Sequence, residues 1–439
     1  METGKNKLNK LVMITILFFP ILPQYVYVTG RLNIVNLFAV FVFAGFIITT
    51  PKFKLYKFYK NIAFFWIFQV VYIFSCVAGN DYFAVIARIV SYICIPIIIL
   101  FSINTRGKFM SAINTLIAGG TILGIFGIAE SVTQTNIFQL FAGDSTVFYR
   151  EIRYGLLRIM TTFGQPIAYG IYQVFIAGLI LYMLHNDISE KQKTRLRICN
   201  IIVVLNIFLS LSRLPIMGYI LLLLLIAYRK SKRKFIEYCF YAGIASLIFI
   251  LFISSSGIEI PLFSPVVRGI SSVLEGNETS VSVEGFGNRL ILFSWVISSM
   301  KPGAWVFGNG ITTEFAYQVY SWQTKTSIEN YYLYVFYHLG IIGVIVLLGM
   351  YISTLIYAHR GIRRKMKFSN EGSISFYKII IIMFSIYYIL VLGVQETDIS
   401  RMYAILVMLL ISYNSIVKLE NSSSLKQGDG GNEHRAFRI

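Results

Sequence analysis

The sequence predicts an all-α polytopic membrane protein of about 12 transmembrane helices, with a large extracytoplasmic loop between helices 9 and 10. Three observations carry that prediction. The chain is 56% hydrophobic and only 13% charged, whereas soluble domains are about one-quarter charged. Its apolar runs reach the ~18–25 residues that a helix needs to cross a bilayer, and they are too numerous for a secretory signal peptide. Finally, the net charge of +19 comes from basic residues in short loops between apolar runs. That is the pattern of membrane topology and not of a nucleic-acid-binding surface.

The elements follow in order. Lys5, Lys7 and Lys10 precede a first span at roughly 11–28 and place the N-terminus in the cytoplasm. A turn at Gly30 and Arg31 leads to a second span ending near Thr50, and the lysine-rich segment from Lys52 to Lys60 is cytoplasmic. Span three ends outside at Gly79–Asp81, and span four carries Arg88 within it before returning to Arg106 and Lys108. Span five, about 109–130, holds Gly119, Gly120, Gly124 and Gly127, small residues that let helices approach closely, and ends on Glu130.

A polar stretch, 131–164, precedes span six at about 165–184. Spans seven and eight are separated by a turn bearing Arg213, where Pro215 can begin a helix. After span nine comes the longest polar region, roughly 254–328; within it 289–299 reads as a helix with Arg289 aimed inward. Span ten runs to about 357, span eleven covers about 376–395, and span twelve about 402–417. The membrane domain is thus 1–417, with both termini cytoplasmic, and 418–439 reads as a disordered Gly/Ser-rich tail.

The four cysteines, Cys76, Cys94, Cys199 and Cys239, lie in or beside apolar segments without metal-type spacing, and they read as small buried hydrophobes. No metal site and no cofactor are expected, and no nucleotide-binding or serine-hydrolase motif is present.

The outer face is different. Inner loops mix lysine and arginine, but the expected outer face carries mainly arginine: Arg31, Arg150, Arg153, Arg158, Arg213, Arg268, Arg289 and Arg401. Cations there run against the positive-inside rule. A guanidinium grips phosphate bidentately, which an ammonium does not. Either an outer site for a phosphate-bearing ligand or a set of ion pairs with carboxylates such as Glu130 and Glu329 accounts for them. Polar groups also gather at the mouth of span ten, where Ser327–Gly343 holds Glu329, Asn330, three tyrosines and His338. Such groups are costly in a membrane unless they face protein or water.

Four stretches together resemble the bacterial O-antigen polymerase/ligase superfamily: RIMTTFGQPIAYGIY (158–172), LSLSRLPIMGYILLL (209–223), NRLILFSWVISSMKPGAWVFGNG (288–310) and ENYYLYVFYHLGIIG (329–343). The similarity spans about 150–345. It implies a metal-independent membrane glycosyltransferase of surface polysaccharide (O-antigen, capsule or exopolysaccharide). Such an enzyme works on the outer face of the bacterial plasma membrane on polyprenyl-diphosphate-linked oligosaccharides. Its implied partners are membrane lipid and a flippase and chain-length regulator of the same pathway, with no nucleic acid. Ligases of the superfamily carry histidine where this chain has Glu329, so the resemblance leans toward the polymerases.

By that resemblance Arg213 and Arg289 hold the diphosphate, with Arg158 and Arg153 as further substrate-binding cations; Arg88, inside a span, either faces the same cavity as a substrate-binding cation or forms an ion pair with a carboxylate such as Glu130. Glu329 orients or deprotonates the acceptor hydroxyl. Asn330 and His338 contact substrate or, alternatively, cap the helix and pack in the core. A ligase, or a transporter of lipid-linked saccharides, remains the alternative.

Overall fold

The computed structural model describes residues 2–29, 32–49, 62–141, 152–153, 156–186, 188–230, 292–320, 323–366, 375–394 and 399–433. Within them the chain is dominated by helices: α1 (Glu2–Phe18), α2 (Ile34–Thr49), α3 (Ala63–Ala78), α4 (Tyr82–Ser102), α5 (Arg106–Thr133), α6 (Pro166–Leu184), α7 (Glu190–Leu209), α8 (Arg213–Lys230), α9 (Tyr331–Met366), α10 (Phe376–Leu390) and α11 (Ile399–Glu433). Six of these (α4, α5, α6, α9, α10 and α11) contain segments long and apolar enough to cross a membrane; α1, α2, α3 and α8 contribute shorter apolar segments. Three two-stranded antiparallel ribbons occur in the connections. Span nine, the first part of the 254–328 loop and Arg289 lie outside the described residues.

Burial sorts the helices. In α6 nearly every residue is buried, and in α11 the run Met402–Ile411 is buried on all sides. A helix that is apolar around its whole circumference belongs inside, and these two form the centre. The remaining helices pack around them and turn large apolar residues outward, among them Phe41 (66% exposed), Phe74 (69%) and Ile201 (67%). Water-soluble proteins do not expose apolar faces on this scale, so the exterior is that of a chain surrounded by lipid.

Close approach is built from glycine. A Cβ on Gly120 would overlap Ile176 of α6, and one on Gly124 would overlap Ile202 of α7. The span-five glycines therefore let α5 meet both neighbours, as small residues do in membrane bundles.

Several boundaries differ from the hydropathy reading. The first span does not reach 28: α1 ends at Phe18, ahead of Pro20 and Pro23, and the chain then forms a ribbon pairing Tyr27–Thr29 with Leu32–Asn33. A residue before proline is pushed out of the helical region, which hydropathy does not register. The helix-like run of 289–299 is helical over 292–298. It packs into a small separate core in which Leu292 and Val296 join Phe315, Tyr317, Ile328 and Tyr337. At the other end, α11 continues as helix to Glu433, past the expected end of span twelve at 417 and into the segment read as a disordered tail.

Candidate functional site

Backbone strain is concentrated at one end of the bundle. Among the described residues, the non-glycine positions with positive φ are Asn80, Gln134, Thr161 and Leu211. They sit after α3, after α5, just before α6 and between α7 and α8. These are the ends of helices that meet there. For a β-branched residue such as Thr161 this conformation is a genuine outlier, and such strain concentrates at functional sites.

The segment before α6 is held at that end by two anchors. Residues 157–163 are not helical, yet all are buried; irregular backbone at depth requires internal partners for its polar groups. The Glu130 carboxylate supplies two, accepting from Met160 N at 3.2 Å and Thr161 N at 2.9 Å. The Thr161 carbonyl accepts from Asn136 Nδ2 at 2.8 Å and from the Tyr25 hydroxyl at 3.2 Å. Arg158, 3% exposed, provides the second anchor. Its Nε donates to Ser210 O at 3.3 Å and a terminal nitrogen donates to Ser212 Oγ at 2.6 Å. Two stretches singled out in the sequence, 158–172 and 209–223, are thus joined by the first arginine of one and the turn serines of the other. Gly170 reinforces the junction, because a Cβ there would overlap Pro215 and crowd Ser210.

The other two stretches also meet. Helix α9 is broken at Gly340, where φ is 65° and ψ is −165°. The break frees the carbonyls of the preceding turn, and the Gly308–Gly310 loop satisfies them. Asn309 N donates to Tyr337 O at 2.8 Å, and Gly310 N donates to His338 O at 3.1 Å. The approach is backbone to backbone: a Cβ on Gly308 would overlap the His338 peptide, and one on Gly340 would overlap the Val306 carbonyl. His338, 6% exposed, donates from Nδ1 to Gly310 O at 2.9 Å. A carbonyl can only accept, so the Nδ1 position carries the proton and in the neutral ring Nε2 keeps its lone pair. Asn309 also fixes the loop, accepting from Lys301 N at 3.0 Å and donating to Ser299 O at 3.3 Å.

Arg88 lies beside this second junction. Its guanidinium carbon is 3.9 Å from the ring centroids of both Tyr72 and Tyr92, a cation–π contact with two rings at once. Its Nε is buried and has no hydrogen-bond partner among the described residues. An ion pair with Glu130, weighed from the sequence, is not what the structure has: Glu130 holds the Met160–Thr161 backbone instead. Tyr334 of α9 lies close to Arg88 and Tyr72, and its ring centroid is 4.4 Å from that of His338. Directly after Arg88, α4 contains a π-helical turn, Val90–Cys94, a feature often found at functional sites.

The two junctions are tied at the same end of the bundle. Tyr92 hydrogen-bonds Ser400 at 2.6 Å, and the neighbouring Arg401 donates to Phe19 O and Leu22 O, each at 2.8 Å. The same turn carries Tyr25, which reaches Thr161. Arg401 is 1% exposed and holds this turn. It therefore does not line an outer cavity, as its place among the outer arginines implied.

The other sequence-predicted residues are placed differently. Arg213 is exposed at the first position of α8, one residue beyond the serine that binds Arg158. Arg153 lies in the ribbon Ile152–Arg153, which pairs with Leu156–Leu157. Glu329 is exposed just before α9. Asn330 caps α9, its Oδ1 accepting from Leu333 N at 3.1 Å. Of the aromatic residues in the 292–320 segment, Tyr317 is buried against Trp295 and Phe315, whereas Trp305 is half exposed and meets Phe336 edge-on. Among the described residues no three His, Cys, Asp or Glu side chains gather to hold a metal ion.

Glu130, Asn309, Tyr72 and Tyr92 belong to this constellation but were not picked out as site residues from the sequence. Asn309 had a signal, as the middle of a Gly-Asn-Gly turn. The tyrosines had none, since 29 are spread through the chain.

No protein-family model matches the chain, and no curated protein matches it either.

Proposed function

We propose that the protein is a polymerase of a surface polysaccharide, a membrane glycosyltransferase that transfers a polyprenyl-diphosphate-linked glycan chain to a lipid-linked repeat unit. In this reading the strained end of the bundle is the outer face of a bacterial plasma membrane. The chain spans that membrane about twelve times with both termini in the cytoplasm, and the 254–328 segment lies outside. A flippase and a chain-length regulator of the same pathway are its proposed partners.

One observation carries the reading. The four stretches that resemble the O-antigen polymerase/ligase superfamily meet in pairs at one end of the bundle, through Arg158 with Ser210 and Ser212, and through Asn309 and Gly310 with Tyr337 and His338. A chance likeness of separate stretches gives no reason for them to lock together.

The proposed chemistry follows from charge. An acceptor hydroxyl attacks the anomeric carbon of the donor sugar, the bond from that carbon to the diphosphate oxygen breaks, and polyprenyl diphosphate departs. Fixed cations can neutralise the charge that develops on it. Arg88, Arg213, Arg289 and Arg153 are assigned to that task. Arg158 is assigned to holding the segment that shapes the site. Glu329, exposed at the mouth of α9, takes the hydroxyl proton, and His338 fixes the turn below it.

A second reading, a transporter of lipid-linked saccharides, draws support from the break in α9, because discontinuous helices build transporter sites. The surface glycan of a strain lacking the protein separates the two. Single repeat units without a ladder on a gel mark a polymerase. Loss of surface repeats, with lipid-linked units accumulating inside, marks a transporter and overturns the polymerase reading.

A further inference from the structure

A second polar feature lies away from the strained end, where the middle of α1 meets the beginning of α5. These two helices pack against each other, with Met13 Sδ 3.6 Å from the hydroxyls of both Ser111 and Thr115. Between the middle of α1 and the first turn of α5 opens a groove of about 450 Å³, bordered by Lys10, Met13 and Ile14 of α1 and by Gly107 and Lys108 of α5. The groove is amphipathic along its length. Lys10 is exposed. Lys108 is held by hydrogen bonds from its ammonium to Ser102 O and Asn104 Oδ1, both at 3.2 Å. One turn further along, Ile14 is 46% exposed. Among the described residues no acidic side chain lines the groove.

We propose that this groove binds an anionic phospholipid, with its phosphate between Lys10 and Lys108 and an acyl chain along Met13 and Ile14. Charge complementarity selects the occupant. Two ammonium groups at the edge of an apolar strip match a headgroup of net negative charge, while a zwitterionic lipid would bring its own cation to the lysines. Basic pockets between membrane helices recognise anionic headgroups in this way. The apolar strip distinguishes a lipid from a small soluble phosphate ester. The site does not depend on the polymerase reading.

Gly107 makes the proposal testable without disturbing the fold. A Cβ at this position meets no atom within 4 Å, and in a helix a larger residue is favoured over glycine. Gly107→Leu therefore fills the groove and leaves α5 intact. The experiment is native mass spectrometry of the full-length protein in detergent, titrated with phosphatidylglycerol or phosphatidylcholine, with glycerol 3-phosphate as competitor. Phosphatidylglycerol is expected to be retained in preference to phosphatidylcholine. Retention should fall by about fivefold for Lys10→Ala, the weight of one lysine near an anionic headgroup, and should also fall for Gly107→Leu. Equal retention of the two lipids, or unchanged phosphatidylglycerol binding in both variants, would overturn the proposal. Displacement by glycerol 3-phosphate at concentrations matching the lipid would overturn it too, by making the ligand a soluble ester.

Discussion

His338 and Gly310 bind each other twice: the His338 ring donates from Nδ1 to the Gly310 carbonyl at 2.9 Å, and Gly310 N donates to the His338 carbonyl at 3.1 Å. The reciprocal pair closes the break in α9 and holds the Gly308–Gly310 loop to the helix. It also gives the histidine a structural task that can be separated from proton transfer. His338→Asn keeps a donor near the Nδ1 position, whereas His338→Ala leaves a half-buried carbonyl short of one partner, at a cost of about 1 kcal/mol. Thermal unfolding should therefore show the alanine variant clearly destabilised and the asparagine variant much less so. If Asn preserves stability but abolishes glycan polymerisation, the ring acts in the chemistry and the structural assignment is too narrow.

Three glycines with positive φ separate backbone strain from overlap. Alanine at Gly303 (φ +83°) meets nothing within 4 Å, while at Gly308 (φ +81°) and Gly340 (φ +65°) it meets peptide backbone. Left-handed backbone alone costs an alanine about 1–2 kcal/mol. Gly303→Ala should stay within that range, and Gly308→Ala and Gly340→Ala should exceed it and lower the yield of folded protein. Equal losses at all three positions would mean that the junction is looser than described.

Arg158 reaches two acceptors with different nitrogens of one planar group, and lysine has no such fork. Arg158→Lys should lose most activity together with part of the stability. Ser212→Ala, which removes one acceptor, should cost about 1–3 kcal/mol by leaving a charged donor short of a partner. Limited proteolysis of the 157–163 segment would report its release. A fully active, protease-resistant Arg158→Lys protein would contradict the anchoring role.

The double ring contact of Arg88 makes a different demand. Desolvated cation–π contacts contribute about 2 kcal/mol or more, and a guanidinium stacks far better than an ammonium. Arg88→Lys should reduce polymerisation at unchanged expression, and Tyr92→Leu should weaken it too while also losing the bond to Ser400. Wild-type activity in both variants would remove Arg88 from the site.

Much of this architecture is legible in the sequence because hydropathy and punctuation agree. The Gly79–Asp81 turn, Pro166 at the start of α6 and the turn before Arg213 all fall where helices begin or end. Hydropathy failed where local geometry outweighed it: Pro20 and Pro23 stop α1 ten residues before the expected end at 28. The site was legible as separate stretches, because a motif advertises its residue types but not its partner. Nothing in the sequence pairs Arg158 with Ser212, or Asn309 with Tyr337, since those contacts depend on how distant helices are arranged. The π-helical turn after Arg88 has no residue signature at all. Arg401 misleads for a related reason: an arginine beside a polar turn reads the same whether it awaits an anion or, as in the first turn of α11, binds the carbonyls of Phe19 and Leu22.

Reconstitution of the purified protein in liposomes with a lipid-diphosphate-linked repeat unit, followed by sizing of the glycan and assay of released polyprenyl diphosphate, tests the central claim most directly. The account predicts a ladder of products, one polyprenyl diphosphate released per bond formed, and loss of both signals in Arg88→Ala and Glu329→Ala proteins that still fold. Movement of the unit across the bilayer with neither elongation nor diphosphate release would contradict it.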